Sequence, residues 1–177
     1  VGDPQQLEPI VLSSTWNSKK WLGKDIFMHA SDAASIEALF LWQSRNTDIS
    51  VLLQDQYRMP EKIYQIVNKL FYKDNLRTHV KQKGVIRVFD SSQINPPLTF
   101  PSNLSGSPVN VLHAEVLIKD VHQALSQPGD KRELARDIGI MVPFTQQKRF
   151  LQYQSKIRYI PDSLEIGVVH TFQGREK

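Results

Sequence analysis

Two short polar clusters in this 177-residue chain combine side chains suited to phosphate and nucleobase chemistry. In Gln56-Tyr57-Arg58-Met59, a planar guanidinium whose fork fits phosphate oxygens stands next to an aromatic ring able to stack. In Phe172-Gln173-Gly174-Arg175-Glu176, a glycine that lets a backbone N–H approach an anion precedes a second guanidinium and a carboxylate. A third polar stretch, Gly2-Asp3-Pro4-Gln5-Gln6-Leu7, offers a carboxylate and a carboxamide that both donates and accepts.

Such groups act only if rigid elements aim them. Ser50 to Leu53 is a brief apolar run expected to form a strand leading into Gln56. Pro60 suits the first turn of a following helix, with Ile63, Ile66, Val67, Leu70 and Phe71 on one face expected to be core. Helices are expected from Ser35 to Trp42, from His113 to Gln127 up to the Pro128-Gly129 stop, and from Thr145 to Lys156. Strands are expected at Gly84 to Asp90, Ile138 to Val142 and Leu164 to Val169, with Ile138 to Val142 apolar enough for burial on both faces. Ser13 to Asp25 reads as an irregular connection, and Ser91 to Pro108 as a long surface loop.

Alternating strands and helices predict an α/β chain with a three-layer parallel sheet. Ligands of such sheets sit at the carboxyl ends of the strands, which is where both Gln56-Tyr57-Arg58 and Phe172 to Glu176 fall.

Composition narrows the function classes. The absence of cysteine excludes disulfide scaffolds, thiolate metal sites and thiol nucleophiles. His113-Ala114-Glu115 carries half of a zinc-deaminase signature, yet the two cysteine ligands that signature needs do not exist here, and no metal site is expected. The net charge of +4 permits attraction to a polyanion, and the cations between Lys62 and Arg87 form either a solvated face or a phosphate-facing patch. With no secretory leader and no long apolar run, a cytoplasmic protein without membrane attachment is the expectation.

The three polar stretches resemble, in order, motifs III, IV and V of superfamily 1 helicases of the Upf-like branch (superfamily 1B), and Ile140-Met141-Val142-Pro143-Phe144 with Gln147 resembles a further family segment. The resemblance implies a RecA-like P-loop NTPase fold, incomplete at both ends: residues 1–12 as the trailing end of a first RecA-like domain, and 13–177 as the second, truncated before motif VI. It implies ATP and magnesium held between two such domains of the parent chain, and single-stranded DNA or RNA lying across both.

Residue by residue, Arg58 matches the arginine that reaches the γ-phosphate, the alternative being an ion pair with a carboxylate such as Asp55. Gln6 matches the phosphate-sensing glutamine, the alternative being a turn cap, and Asp3 belongs to the same motif. Tyr57 matches a ring on which adenine stacks, or else it is a packing residue. Gly174, Arg175 and Glu176 match the nucleotide-binding end of motif V. Pro143, Phe144, Thr145, His170 and Thr171 fall where the family meets its strand.

Departures from the family pattern are Val142 and Val168 in place of Thr, and His113 in place of Glu after Asn110. The chain has no G-x-x-x-x-G-K-[ST] loop, its only Gly-Lys being Gly23-Lys24, and no Asp-Glu pair ahead of motif III to hold magnesium. The implied function is thus the C-terminal motor portion of an ATP-dependent helicase or translocase. The 177 residues alone are expected to be inactive and to bind no cofactor. The alternative is a nucleic-acid-binding relic that hydrolyses nothing.

Overall fold

The computed structural model describes residues 3, 6, 11–33, 35–93, 99–101 and 107–173. The chain divides into two compact units, residues 1–89 and 90–177.

The first unit holds helices α1 (Trp16–Leu22), α2 (Ile26–Ser31) and α3 (Ile36–Arg45), then β1 (Asp55–Gln56), α4 (Glu61–Phe71) and β2 (Arg77–Thr78). Its first helix occupies most of the stretch expected to be irregular, and the second begins directly after that stretch. They form because Thr15 and Asp25 cap them, their side-chain oxygens accepting from the N–H of Ser18 and Met28. The apolar run Ser50 to Leu53 makes no ladder. Pairing begins at Gln54, whose carbonyl accepts from Arg77 N–H at 2.7 Å, and β1 runs parallel to β2 in the register Gln56 with Thr78. Together β1, α4 and β2 make a small parallel βαβ unit.

The α4 face expected to be core is instead exposed at Ile63, Ile66, Leu70 and Phe71. The helix turns Asn68 inward, because the chain between α4 and β2 needs partners for its backbone. Asn68 Oδ1 accepts from Leu76 N–H at 2.9 Å, and Asn68 Nδ2 donates to Leu76 C=O at 3.2 Å, a carbonyl that the Tyr64 hydroxyl also reaches. Residues 84–90, expected as a strand, form none. Just before them Gln82 and Lys83 accept from the first N–H groups of α4, at 2.9 and 3.2 Å, where Pro60 supplies no side-chain cap. Gly84 then breaks the extended path with φ +65°.

The second unit contains β3 (Thr99–Pro101), β4 (Pro108–Asn110), α5 (Val111–Ala124), α6 (Lys131–Arg136), β5 (Gly139–Val142), α7 (Thr145–Ile157), β6 (Glu165–Val168) and α8 (Val169–Phe172). β3 and β4 pair antiparallel; β3 lies inside the stretch expected to be a surface loop, and β4 begins at its last residue. β5 and β6 pair parallel in the register Val142 with Val168, joined by α7, so this unit too is built on a parallel βαβ element. Its core lines up Ala114, Ile118 and Val121 of α5, and Leu125 just after it, with Leu151 of α7, Ile140 and Val142 of β5, and Ile166 of β6. Ile118 and Leu151 are 0% exposed, and each such side chain contributes ~2 kcal/mol by leaving water. Burial along β5 alternates, with Gly139 and Met141 exposed, so this strand is buried on one face and not on both.

Candidate functional site

Each parallel pair presents candidate residues at its carboxyl end. In the first unit, β1 runs out into Tyr57, Arg58 and Met59, and β2 beside it runs out into His79. The turn after β1 is shaped by one carboxamide. Gln56 Oε1 accepts from the N–H groups of Arg58 and Met59 at 2.9 and 2.7 Å, while its Nε2 donates to Met59 C=O at 3.0 Å and to Thr78 Oγ1. With both of its functions used, Gln56 closes the turn and ties it to the next strand.

Arg58 lies on the exposed side of this turn. The carboxylate considered as its ion-pair partner, Asp55, accepts from His79 Nε2 at 2.8 Å. Tyr57 is 73% exposed and stacks on the His79 ring, so it is no buried packing residue.

Asp3 and Gln6 sit together in a tight local turn. Gln6 donates from its backbone N–H to Asp3 C=O at 3.1 Å and from Nε2 to Asp3 Oδ2 at 3.2 Å, which matches the turn-capping alternative. The same Asp3 oxygen accepts from the Tyr72 hydroxyl at the end of α4. Burial, then this hydrogen bond and the charge of Asp3, push the Tyr72 phenol well above its ordinary range. Nothing in the sequence pattern singled out Tyr72, because its partner lies far away along the chain.

In the second unit, the end of β5 presents Pro143, Phe144 and Thr145, all exposed, and the end of β6 presents exposed His170 and half-buried Thr171 on α8. The β5–β6 pairing brings the two sets side by side. Phe144 is the residue before α7 and offers no side-chain cap, so that helix begins with backbone N–H groups suited to anions.

Behind this edge, Gln147 is buried and grips the end of β4. Its Nε2 donates to Asn110 C=O at 2.9 Å and its Oε1 accepts from Asn110 N–H at 2.7 Å. Asn110 in turn caps α5, its Oδ1 accepting from His113 N–H at 2.9 Å. His113 occupies the third helical position, where a glutamate would reach back to its own cap; the imidazole instead meets Ser91 Oγ at 2.7 Å.

Of the two valines, the structure explains Val142 and gives no reason for Val168. Val142 is 4% exposed inside the core, so a hydroxyl there would be buried rather than offered to a strand, and Val168 is half-buried.

A glycine that the motif reading passed over shapes this edge. Gly167, buried in β6, has no room for a side chain: a Cβ would lie 2.6 Å from Thr171 Cβ and 2.9 Å from Phe172 Cε2. A glycine interrupting an apolar strand was the available signal.

Gly174, Arg175 and Glu176 lie outside the described residues. Among the described residues no three acidic or histidine side chains converge as a metal cage, and no helix is long and apolar enough to cross a membrane. The cations between Lys62 and Arg87 are all exposed.

The family model described as "AAA domain" matches residues 36–177. The chain is 27% identical to the DNA replication ATP-dependent helicase/nuclease DNA2 of Gallus gallus, over 100% of this chain and 16% of that protein. It is 27% identical to an uncharacterized ATP-dependent helicase of Methanocaldococcus jannaschii, over 99% of this chain and 26% of the relative. To Helicase SEN1 of Saccharomyces cerevisiae it is 27% identical, over 100% of this chain and 8% of the relative. The chain therefore spans about a quarter or less of these relatives' lengths. Carrying two parallel βαβ elements and matched by the family model over most of its length, the chain belongs to the AAA domain family, in its superfamily 1, Upf-like helicase branch.

Proposed function

We propose that this chain is part of the motor of an ATP-dependent helicase or translocase acting on single-stranded nucleic acid, DNA or RNA. One observation carries the reading: both parallel βαβ elements deliver the expected polar residues to the carboxyl ends of their strands, where α/β sheets hold ligands. In the first unit the turn closed by Gln56 offers Arg58 to the γ-phosphate of ATP and Tyr57 to its base. A guanidinium supplied to developing phosphoryl charge is worth ~10³ to 10⁵ in rate. Gln6 and Asp3 act near the same phosphates, through rearrangement of the turn they now share with Tyr72. Gly174, Arg175 and Glu176 complete nucleotide contact, on the strength of the family motif alone.

In the second unit Pro143, Phe144, Thr145, His170 and Thr171 face the strand. Phe144 supplies a stacking surface worth ~1 to 3 kcal/mol per base, and the start of α7 supplies N–H groups for phosphate. Residues 1–12 would be the tail of a first RecA-like domain, which brings the phosphate loop and the magnesium ligands that this sequence lacks. The chain alone would then neither bind ATP tightly nor turn it over.

The test is ATP hydrolysis by the full-length gene product with and without single-stranded DNA and RNA. Turnover stimulated by one of the strands, absent from the 177 residues alone, is expected. A full-length protein with no strand-stimulated turnover refutes the motor reading.

A further inference from the structure

We propose that His79, held by Asp55, is the residue that positions the Tyr57 ring for the nucleobase; the inference rests on the reading that Tyr57 meets that base. The Tyr57 and His79 rings lie 4.7 Å apart between centroids and 14° from parallel, a true stack. His79 comes from the neighbouring strand, one residue past the pairing of Gln56 with Thr78, and its own N–H donates to Gln56 C=O at 3.0 Å. Its backbone is therefore registered to the same residue that shapes the Tyr57 turn. Asp55 Oδ1, 2.8 Å from His79 Nε2, fixes the imidazole against rotation.

A tyrosine on an exposed turn samples several rotamers, and each rotamer lost on ligand binding weakens affinity. The imidazole covers one face of Tyr57 and selects one rotamer in advance, while a side chain that is 73% exposed keeps the opposite face open to a flat ligand. With a base bound, the arrangement would be a three-layer stack: imidazole, phenol, base. It would favour the larger π-surface of a purine over a pyrimidine.

Four variants of the full-length protein test this by steady-state ATP hydrolysis. His79→Ala is expected to raise KM for ATP by ~3- to 10-fold, the range of one aromatic pair, with kcat unchanged. His79→Phe, which keeps a flat partner, is expected to return KM to within about 2-fold of wild type. Tyr57→Ala combined with His79→Ala is expected to be no worse than Tyr57→Ala alone, since the imidazole acts only through the phenol. An unchanged KM in His79→Ala, a fall in kcat that His79→Phe does not rescue, or effects that multiply in the double variant would each overturn the inference. If Tyr57→Ala raises KM while His79→Ala does not, only this inference fails; if Tyr57→Ala itself leaves KM unchanged, the assignment of Tyr57 to the base fails with it.

Discussion

Replacing Gly167 by alanine adds one methyl group at a place where β6 and α8 fold back on one another. The new Cβ would stand 2.6 Å from Thr171 Cβ, 2.8 Å from Thr171 Cγ2 and 2.9 Å from Phe172 Cε2. Ordinary carbon contacts lie at ~3.5 to 4.0 Å, so about 1 Å of separation must be found. The Phe172 ring can swing, but Thr171 Cβ is fixed by its own backbone, and relief requires α8 to move. Overpacking of this kind costs ~1 to 3 kcal/mol. For a chain of this size that corresponds to a drop in Tm of about 2 to 12 °C, measured by circular dichroism. Because α8 carries His170 and Thr171, which are proposed to meet the strand, single-strand affinity should fall in parallel. Combining Gly167→Ala with Thr171→Gly removes the worst contact, and the pair should be less destabilised than the sum of the single changes. A melt of Gly167→Ala within about 1 °C of wild type, or strict additivity in the pair, would refute the reasoning.

Gln147→Ala removes both hydrogen bonds to the Asn110 backbone and leaves a donor and an acceptor unmatched beneath α7. A loss of ~2 to 4 kcal/mol is expected in urea unfolding, and an unchanged midpoint would contradict it. Tyr72 gives a pH signature: burial and the Asp3 carboxylate disfavour its ionised form, so the folded chain holds this proton more tightly than the unfolded chain. Its contribution is complete below its ordinary value of 10.0 and fades as pH rises beyond it. From about pH 10 upward wild type should lose stability more steeply than Tyr72→Phe, and parallel curves would refute the assignment.

Helices α4, α5 and α7 and strands β5 and β6 were legible because apolar periodicity reports directly on which elements exist. It did not report which face turns inward in α4, since the decision there falls to Asn68, an amide that satisfies the Leu76 backbone at long range. β1 and β2 escaped notice because two-residue polar strands have no periodicity, and their pairing is set by backbone hydrogen bonds. α1 was hidden behind polar composition, and α2 is too short for apolar periodicity to report, although Thr15 and Asp25 are ordinary capping residues. The candidate site shows the same division. Arg58, Tyr57 and the Phe144 segment could be read from short motifs, whereas His79, Tyr72 and Gly167 matter through neighbours that only folding supplies.

In the proposed motor, Arg58 acts on the phosphoryl group in the transition state and not in substrate binding. Full-length Arg58→Ala, assayed for single-turnover ATP hydrolysis alongside equilibrium ATP binding, addresses it most directly. A fall of ~10³-fold or more in the hydrolysis rate is expected, with the dissociation constant for ATP changed by less than ~10-fold. A hydrolysis rate within about 10-fold of wild type would contradict it.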